Sequence, residues 1–411
     1  MKNLLLFECK KTMKSLYFIM MLLALIVFVS FYFIYSYVHT ERVDDYIYKN
    51  ETIKSNFQST VDELSSTEGN AANEKEIEFF IDEIAELDML SEAARNHDWK
   101  TILQHEIDIG EEQVRLSPSQ AEENVYTWPT HFTNEVVYEK NKWLMKHHIQ
   151  PIFPIHNNSE ITAYDRVFNT AAEEEIAYDF YNKHDSSSVY FLYSLVGIGL
   201  NIGGAIFFLF LFGNTITREG LDRNGPVYFL GTLPLKRWKI IWSKMLTLVM
   251  LTFFVLLATS LWGILLSVMF DRFGDWNYPV LIYGPDFSFR FMEMGTFILL
   301  CLLLFFIVLI FCYSWLFLYS VLIKRTFMAI VLTILTLVLG IQLSGSEIVL
   351  NQSLAPINPF HYFHIIDMIT MEYALTAENF NFTIWNGIFS LVIASFIIVC
   401  ISYFIFSRKA T

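Results

Sequence analysis

Six stretches of this chain, at about 16–38, 188–213, 245–270, 294–323, 327–346 and 386–407, are long apolar runs with no Asp, Glu, Lys or Arg in their central portions. A helix of roughly 20 such residues spans the ~30 Å hydrocarbon core of a bilayer. A helix is also one of the few forms in which a chain satisfies its backbone there. The pattern predicts an all-α polytopic membrane protein with six transmembrane helices. Only 17% of the residues are charged, below the roughly 25% of a soluble domain, which excludes an ordinary water-soluble enzyme. The first run is too long for a signal-peptide core, and Ser-Tyr-Val-His-Thr (36–40) offers no small-x-small cleavage site, so it reads as an uncleaved span.

Charge divides the chain unevenly. Of a net −14, residues 39–187 contribute −19, with 12 Lys and Arg against 31 Asp and Glu, and the remainder is mildly basic. The cations cluster in alternate connections: Lys2, Lys10, Lys11 and Lys14 before the first span, Arg218 to Lys244 between the second and third, Lys324 and Arg325 between the fourth and fifth, and Arg408 and Lys409 after the last. The other connections are the acidic 39–187 segment, the 271–293 loop with Arg272 and Arg290, and the 347–385 loop with no Lys or Arg. Cations mark cytoplasmic loops, so both termini are expected inside and the acidic segment outside.

That segment is large enough for its own core. Ile77, Phe80, Ile81, Ile84, Leu87 and Leu90 keep helical spacing, as do Ile161, Tyr164, Val167, Phe168, Ala171 and Ala172, while Pro151 and Pro154 break the chain between them. The expectation is a mainly helical extracellular insertion between the first two spans. Its lack of cysteine offers no disulfide framework.

Three further segments gain meaning together. Leu4, Leu5, Leu6 and Phe7 with Glu8, Lys10, Lys11 and Lys14 form a short amphipathic helix (1–15) running into the first span, suited to the inner interface with its lysines toward headgroups. The 214–244 connection contains a Leu233-Pro234 turn followed by Arg237, with Lys244 at the mouth of the next span. Pro234 fixes a turn and removes a donor, so a short helix can fold back for presentation to a partner. The outer segment Pro-Ile-Asn-Pro-Phe-His-Tyr-Phe (356–363) continues with apolar residues too interrupted for a full span, as in a membrane-dipping hairpin.

In combination these segments resemble the permease subunit of an ABC transporter of the ABC-2 type. The resemblance covers the membrane part; the acidic insertion matches nothing known to us. It implies that residues 1–15 are a connecting helix and that 214–244 is a cytoplasmic coupling segment, with Glu219, Arg223, Leu233, Pro234, Lys236, Arg237 and Lys244 serving an ATPase. It also implies that 347–385 is an extracellular re-entrant segment containing Pro359, Phe360 and Tyr362. The partners it implies are a separate cytoplasmic ABC ATPase, expected in two copies and carrying ATP and Mg, and a second permease subunit, identical or paralogous. No nucleic acid and no cofactor or metal on this chain are expected. The setting is the cell membrane, that of a bacterium, and the function is export of an amphipathic or lipid-like cargo, with an antimicrobial peptide in that class.

The residues weigh the rivals. No Gly in the chain is followed by Lys, so a GxxxxGK[ST] phosphate loop is absent and the ATPase must be another polypeptide. The glycines around 197–204 lack the spacing of a dinucleotide fingerprint, and Gly199 and Gly203, four apart, read as helix-packing residues. An ion-coupled transporter keeps ionisable groups at membrane depth, whereas these spans carry neutral residues such as Asn201 and Gln342. An intramembrane hydrolase would need a catalytic pair facing a wet cavity, and His361 and His364, an i, i+3 pair, lack a third partner as metal ligands. A membrane sensor or scaffold using the acidic segment as receptor is the alternative.

Orientation is directly testable. A Cys placed at Ser66 should react with a membrane-impermeant maleimide in intact cells and one at Asn224 should not; the opposite pattern overturns the assignment of inside and outside.

Overall fold

The computed structural model describes residues 2–66, 71–116, 126–155, 159–217, 237–323, 325–350, 352 and 354–409. The chain divides into two compact units, one made of Met1–Ile34, Ser187–Gly274 and Val280–Thr411, the other of Tyr35–Ser186 and Asp275–Pro279.

Helices account for nearly all of the first unit. They are α1 (Lys2–Met13), α2 (Leu16–His39, which leads into the second unit), α8 (Ser188–Gly199), α9 (Ile202–Thr217), α10 (Arg237–Phe270), α11 (Met294–Leu322), α12 (Thr326–Ser344), the short α13 (Glu347–Leu350), α14 (Ile365–Ile369) and α15 (Glu372–Thr376), and α16 (Ile384–Lys409). Among the described residues five helices are long and apolar enough to cross a membrane, and α8 with α9 makes a sixth candidate, bent by 79°. The protein is therefore an all-α, multi-pass membrane protein. More than half of the most apolar stretch of α11 is buried, against 17–28% in the other four. α11 is accordingly the central helix, packed by α8, α9, α12 and α16, and the others leave apolar faces uncovered.

Many hydroxyls inside the spans bond locally or across helices, while Ser243 and Ser267 are buried without a hydrogen-bond partner. Thr247, Thr259, Ser314, Thr333, Ser395 and Ser402 each donate to the carbonyl four residues back. Thr252 and the Tyr313 hydroxyl bond at 2.9 Å, Tyr319 and Thr336 at 2.7 Å, and the Trp262 indole donates to Ser30 Oγ at 3.0 Å. Such pairs fix which helices face each other where apolar packing alone discriminates little.

The second unit contains α3 (Val43–Ser66), α4 (Ala71–Arg95), α5 (Trp99–Leu116), α6 (His131–Lys146) and α7 (Ala171–Tyr181). α3 and α4 form one antiparallel hairpin, α5 and α6 another. Tyr46, Ile47, Leu90, Ala93, Ala94, Ile102, Phe153 and Ile155 make its core. The helical periodicity of 77–90 is realised in α4. That of 161–172 is not: the helix begins at Ala171, and residues 161–168 are turns and extended chain. The cause is Asp165, whose carboxylate accepts from the Thr162 amide and hydroxyl, the Thr133 hydroxyl and the Thr130 amide. Those bonds give the backbone an alternative to a helix.

One further feature concerns a connection. The 271–293 loop holds a two-stranded hairpin, β1 (Pro279–Tyr283) and β2 (Phe289–Glu293). The third apolar run, expected at about 245–270, lies within α10, whose stretch from Arg237 to Trp262 contains neither Gly nor Pro to interrupt it.

An ionic cluster ties distant parts of the second unit. Glu160 Oε1 accepts from Lys140 Nζ at 2.5 Å and from Lys183 Nζ at 2.9 Å, and Lys183 also bonds Ser159 Oγ. The Tyr278 ring lies 5.4 Å from the Lys140 ammonium. Burial pushes the Glu160 carboxyl up, but the two ammonium groups outweigh it and hold it at about 2. Glu106 goes the other way: burial pushes it up to about 8, with Lys183 opposing and Glu86 reinforcing.

Glu106 makes this unit pH-sensitive. Its folded pKa exceeds the unfolded ~4.3, so between about pH 5 and 8 the folded state binds the extra proton and stability falls as pH rises, by up to ~1.4 kcal/mol per pH unit. Glu106→Gln should abolish that part of the slope and protect α5 more strongly at pH 8. Amide hydrogen exchange of α5 in the full-length protein at pH 5.5 and 8 checks it, and equal slopes in the two proteins would remove Glu106 as the cause.

Candidate functional site

The first candidate is the foot of α10, where α1 packs. α1 turns its apolar residues outward: Leu6, Phe7 and Met13 are about half exposed, whereas Glu8 is 1% and Thr12 4% exposed. Lys10, Lys11 and Lys14 are exposed. A helix in water would do the reverse, so this face suits hydrocarbon, with the lysines at its border. Opposite lies Lys244 of α10, itself buried at 7% exposure, and the charges of Glu8 and of Lys11 both act on its ammonium.

Burying one carboxylate costs several kcal/mol unless charge or hydrogen bonds compensate. Glu8 Oε2 has no hydrogen-bond partner, and its charge acts through space on the Lys244 ammonium. The sequence pattern grouped Glu8 with the lysines of a polar face; the structure separates them. The signal was the narrow stripe Glu8, Thr12, Ser15 at i, i+4, i+7, all polar and distinct from the lysines.

Of the expected coupling residues, Glu219, Arg223, Leu233, Pro234 and Lys236 lie outside the described residues, and Arg237 is placed only as the first residue of α10. Lys244 alone is placed with its side chain.

The second candidate is the break between α8 and α9, where a single straight span was expected. Gly199, Leu200 and Asn201 interrupt the helix. The Asn201 side chain replaces the lost backbone bonds, its Oδ1 accepting from the amides of Gly203 (2.8 Å) and Gly204 (3.2 Å) and its Nδ2 donating to the Ile198 carbonyl. Gly199 and Gly203 thus flank a corner instead of forming a packing face: a Cβ on Gly199 would meet nothing within 4 Å. The demanding position is Gly204, where a Cβ would stand 1.9 Å from the Gly199 carbonyl oxygen.

The third candidate is the 354–376 region. Pro359 opens a 3-10 turn, Pro359–Phe363, capped by Asn358, whose Oδ1 accepts from the Phe360 amide. Phe360 lies over Gly340 of α12 and Tyr362 over Gly387 of α16; a Cβ at either glycine would fall within 2.4 Å of the ring above it. The Tyr362 hydroxyl donates to Pro356 O at 2.7 Å, and Ser390 Oγ of α16 donates to Ile357 O. Ile366 of α14 approaches Gly197 of α8, so this region touches the broken helix as well as α12 and α16. His361 is fully buried, its Nδ1 bonded to the Tyr373 hydroxyl at 2.6 Å. Among the described residues no group of three His, Cys, Asp or Glu could hold a metal.

The second and third of these sites are built from ring-over-glycine packing and from side-chain hydrogen bonds to the backbone. Comparison with protein-family models, with curated proteins and with solved structures finds no match to this chain.

The two ring-over-glycine contacts carry a prediction. Gly387→Ala forces Tyr362 and the turn to shift, and overpacking of this kind costs typically ~1–3 kcal/mol; Gly345→Ala, where a Cβ meets nothing closer than 3.6 Å, should be near neutral. Thermal unfolding of the purified protein in one detergent compares them, and equal midpoints would remove the clamp.

Proposed function

We propose that this chain is the permease subunit of an ATP-driven exporter of the ABC-2 type. A separate cytoplasmic ABC ATPase, in two copies, supplies ATP and Mg. A second permease subunit, identical or paralogous, completes the pathway, and the cargo is amphipathic or lipid-like. In this reading both termini are cytoplasmic and the acidic unit is extracellular.

The observation that carries the reading is the packing of α1, Glu8 inward, on the foot of α10 beside Lys244. α10 is continuous for 34 residues, about 50 Å at 1.5 Å per residue. A push on the 214–244 segment therefore reaches the far end of that helix without an intervening joint. α1 moves with this foot because Glu8 and Thr12 are buried in the contact between the two helices. On the opposite side, the Phe360 and Tyr362 clamps tie the 354–376 turn to α12 and α16, so displacement of these helices changes the environment of the broken α8–α9 pair. The uncovered apolar faces of the outer helices fit lipid and a second permease subunit.

Charge reversal tests the linkage. Lys244→Glu and Glu8→Lys should each abolish ATP-dependent export of a fluorescent lipid while leaving membrane insertion intact, and the double exchange should restore most of it. Arg237→Glu should reduce recovery of the ATPase in a pull-down, since like charges across an interface cost several kcal/mol. If cross-linked wild-type protein brings down no ABC ATPase from its native membrane, the permease reading fails and the sensor or scaffold takes its place.

A further inference from the structure

α7 is a sparsely covered helix of the acidic unit. Among its described side chains Ala177 alone is buried, while Ile176, Tyr178 and Tyr181 are each about half exposed. Tyr178 extends an aromatic row: its ring lies 5.9 Å from Phe168, which lies 5.9 Å from Trp128. Beside this row, Tyr126–Trp128 pairs with Arg166–Phe168 through Val167 N to Tyr126 O and Trp128 N to Val167 O, both 2.9 Å, and Val167 and Tyr126 are exposed. The result is a surface of aromatic and branched side chains on a rigid support.

The charges on this surface are mainly negative, Glu173, Glu174, Glu175 and Asp179 against Arg166. Glu173 is used locally, closing the helix start by accepting from the Asn169 amide. Glu174, Glu175 and Asp179 are exposed and have no ion-pair partner among the described residues. The neighbouring cations are engaged: Arg166 stacks 5.2 Å over Tyr126, and Lys183 is buried against Glu160. A face that shows both carboxylates and aromatic rings to water complements ammonium or guanidinium groups twice over, by charge and by cation–π attraction. Its aliphatic and aromatic area complements apolar side chains.

We propose that α7 with the Tyr126–Trp128 and Arg166–Phe168 strip is a docking surface for a cationic amphipathic peptide. This specifies the cargo class of the exporter above and rests on that reading for its physiological meaning, but the binding itself does not require transport.

The test uses full-length protein in phosphatidylcholine nanodiscs without ATPase, a fluorescent 15-residue synthetic peptide of Lys and Leu, and a matched peptide of Glu and Leu. Anisotropy should show binding of the Lys peptide that weakens with salt, and none of the Glu peptide. Glu174→Gln/Glu175→Gln/Asp179→Asn should weaken it roughly tenfold and flatten the salt dependence, and Ile176→Ser/Tyr178→Ser should weaken it at every salt concentration. Glu76→Gln/Glu78→Gln/Asp82→Asn, which removes the same charge from α4, should change it less than twofold. Equal loss in the α4 variant would mean a diffuse acidic potential and overturn the site, as would no binding, or equal binding by all variants. Peptide binding without any ATP-dependent export would sink the permease reading and spare the surface; lipid export without peptide binding would do the reverse.

Discussion

Hydrocarbon offers a peptide group no hydrogen-bond partner, and the membrane unit is organised by that fact. Where the chain is a continuous helix the requirement is met automatically, and the polar side chains within it bond the preceding turn. At two places where the helices give way to irregular chain, side chains take over. Asn201 does so at the α8–α9 corner, Asn358 and Tyr362 in the 354–376 turn. These irregular elements occur where helices are pinned to one another. Glycine supplies the room: Gly204 admits the Gly199 carbonyl, and Gly340 and Gly387 admit the rings of Phe360 and Tyr362.

The same scarcity of water gives charge its meaning in each unit. Glu8 and Lys244 are both buried where α1 packs on α10, and the charge of Glu8 acts on the Lys244 ammonium there. In the acidic unit Glu160 is bound by two lysines and stays ionised, whereas Glu106, with less compensation, holds its proton. Two carboxylates of one fold are therefore driven to opposite states by how many ammonium groups reach them. This is a statement about burial and geometry, and net charge alone would have missed it.

Periodicity and the absence of charge made the helical, membrane-embedded class legible, because a bilayer imposes a length and a polarity that few other environments do. What it could not reveal lay in side-chain bonds that compete with a helix. Asp165 draws Thr130, Thr133 and Thr162 to itself and turns an apolar, helix-spaced stretch into loop. Asn201 bends a run whose composition is uniformly apolar. Pro359, Phe360 and Tyr362 could be singled out by type, yet the glycines receiving their rings stand 20 residues before Phe360 and 25 after Tyr362, at distances no local pattern joins. Glu8 was visible as an acid among lysines, but its burial depends on Lys244, more than two hundred residues away.

Coupling between these elements follows from their connections. α10 meets α1 at its foot and α8 along its length, and α8 meets α14 at Gly197. α14 belongs to the segment clamped on α12 and α16. A tilt of α10 therefore presses on a helix already bent by 79° after Gly199, where the Asn201 side chain bonds the backbone on both sides of the break in place of continuous helix bonds.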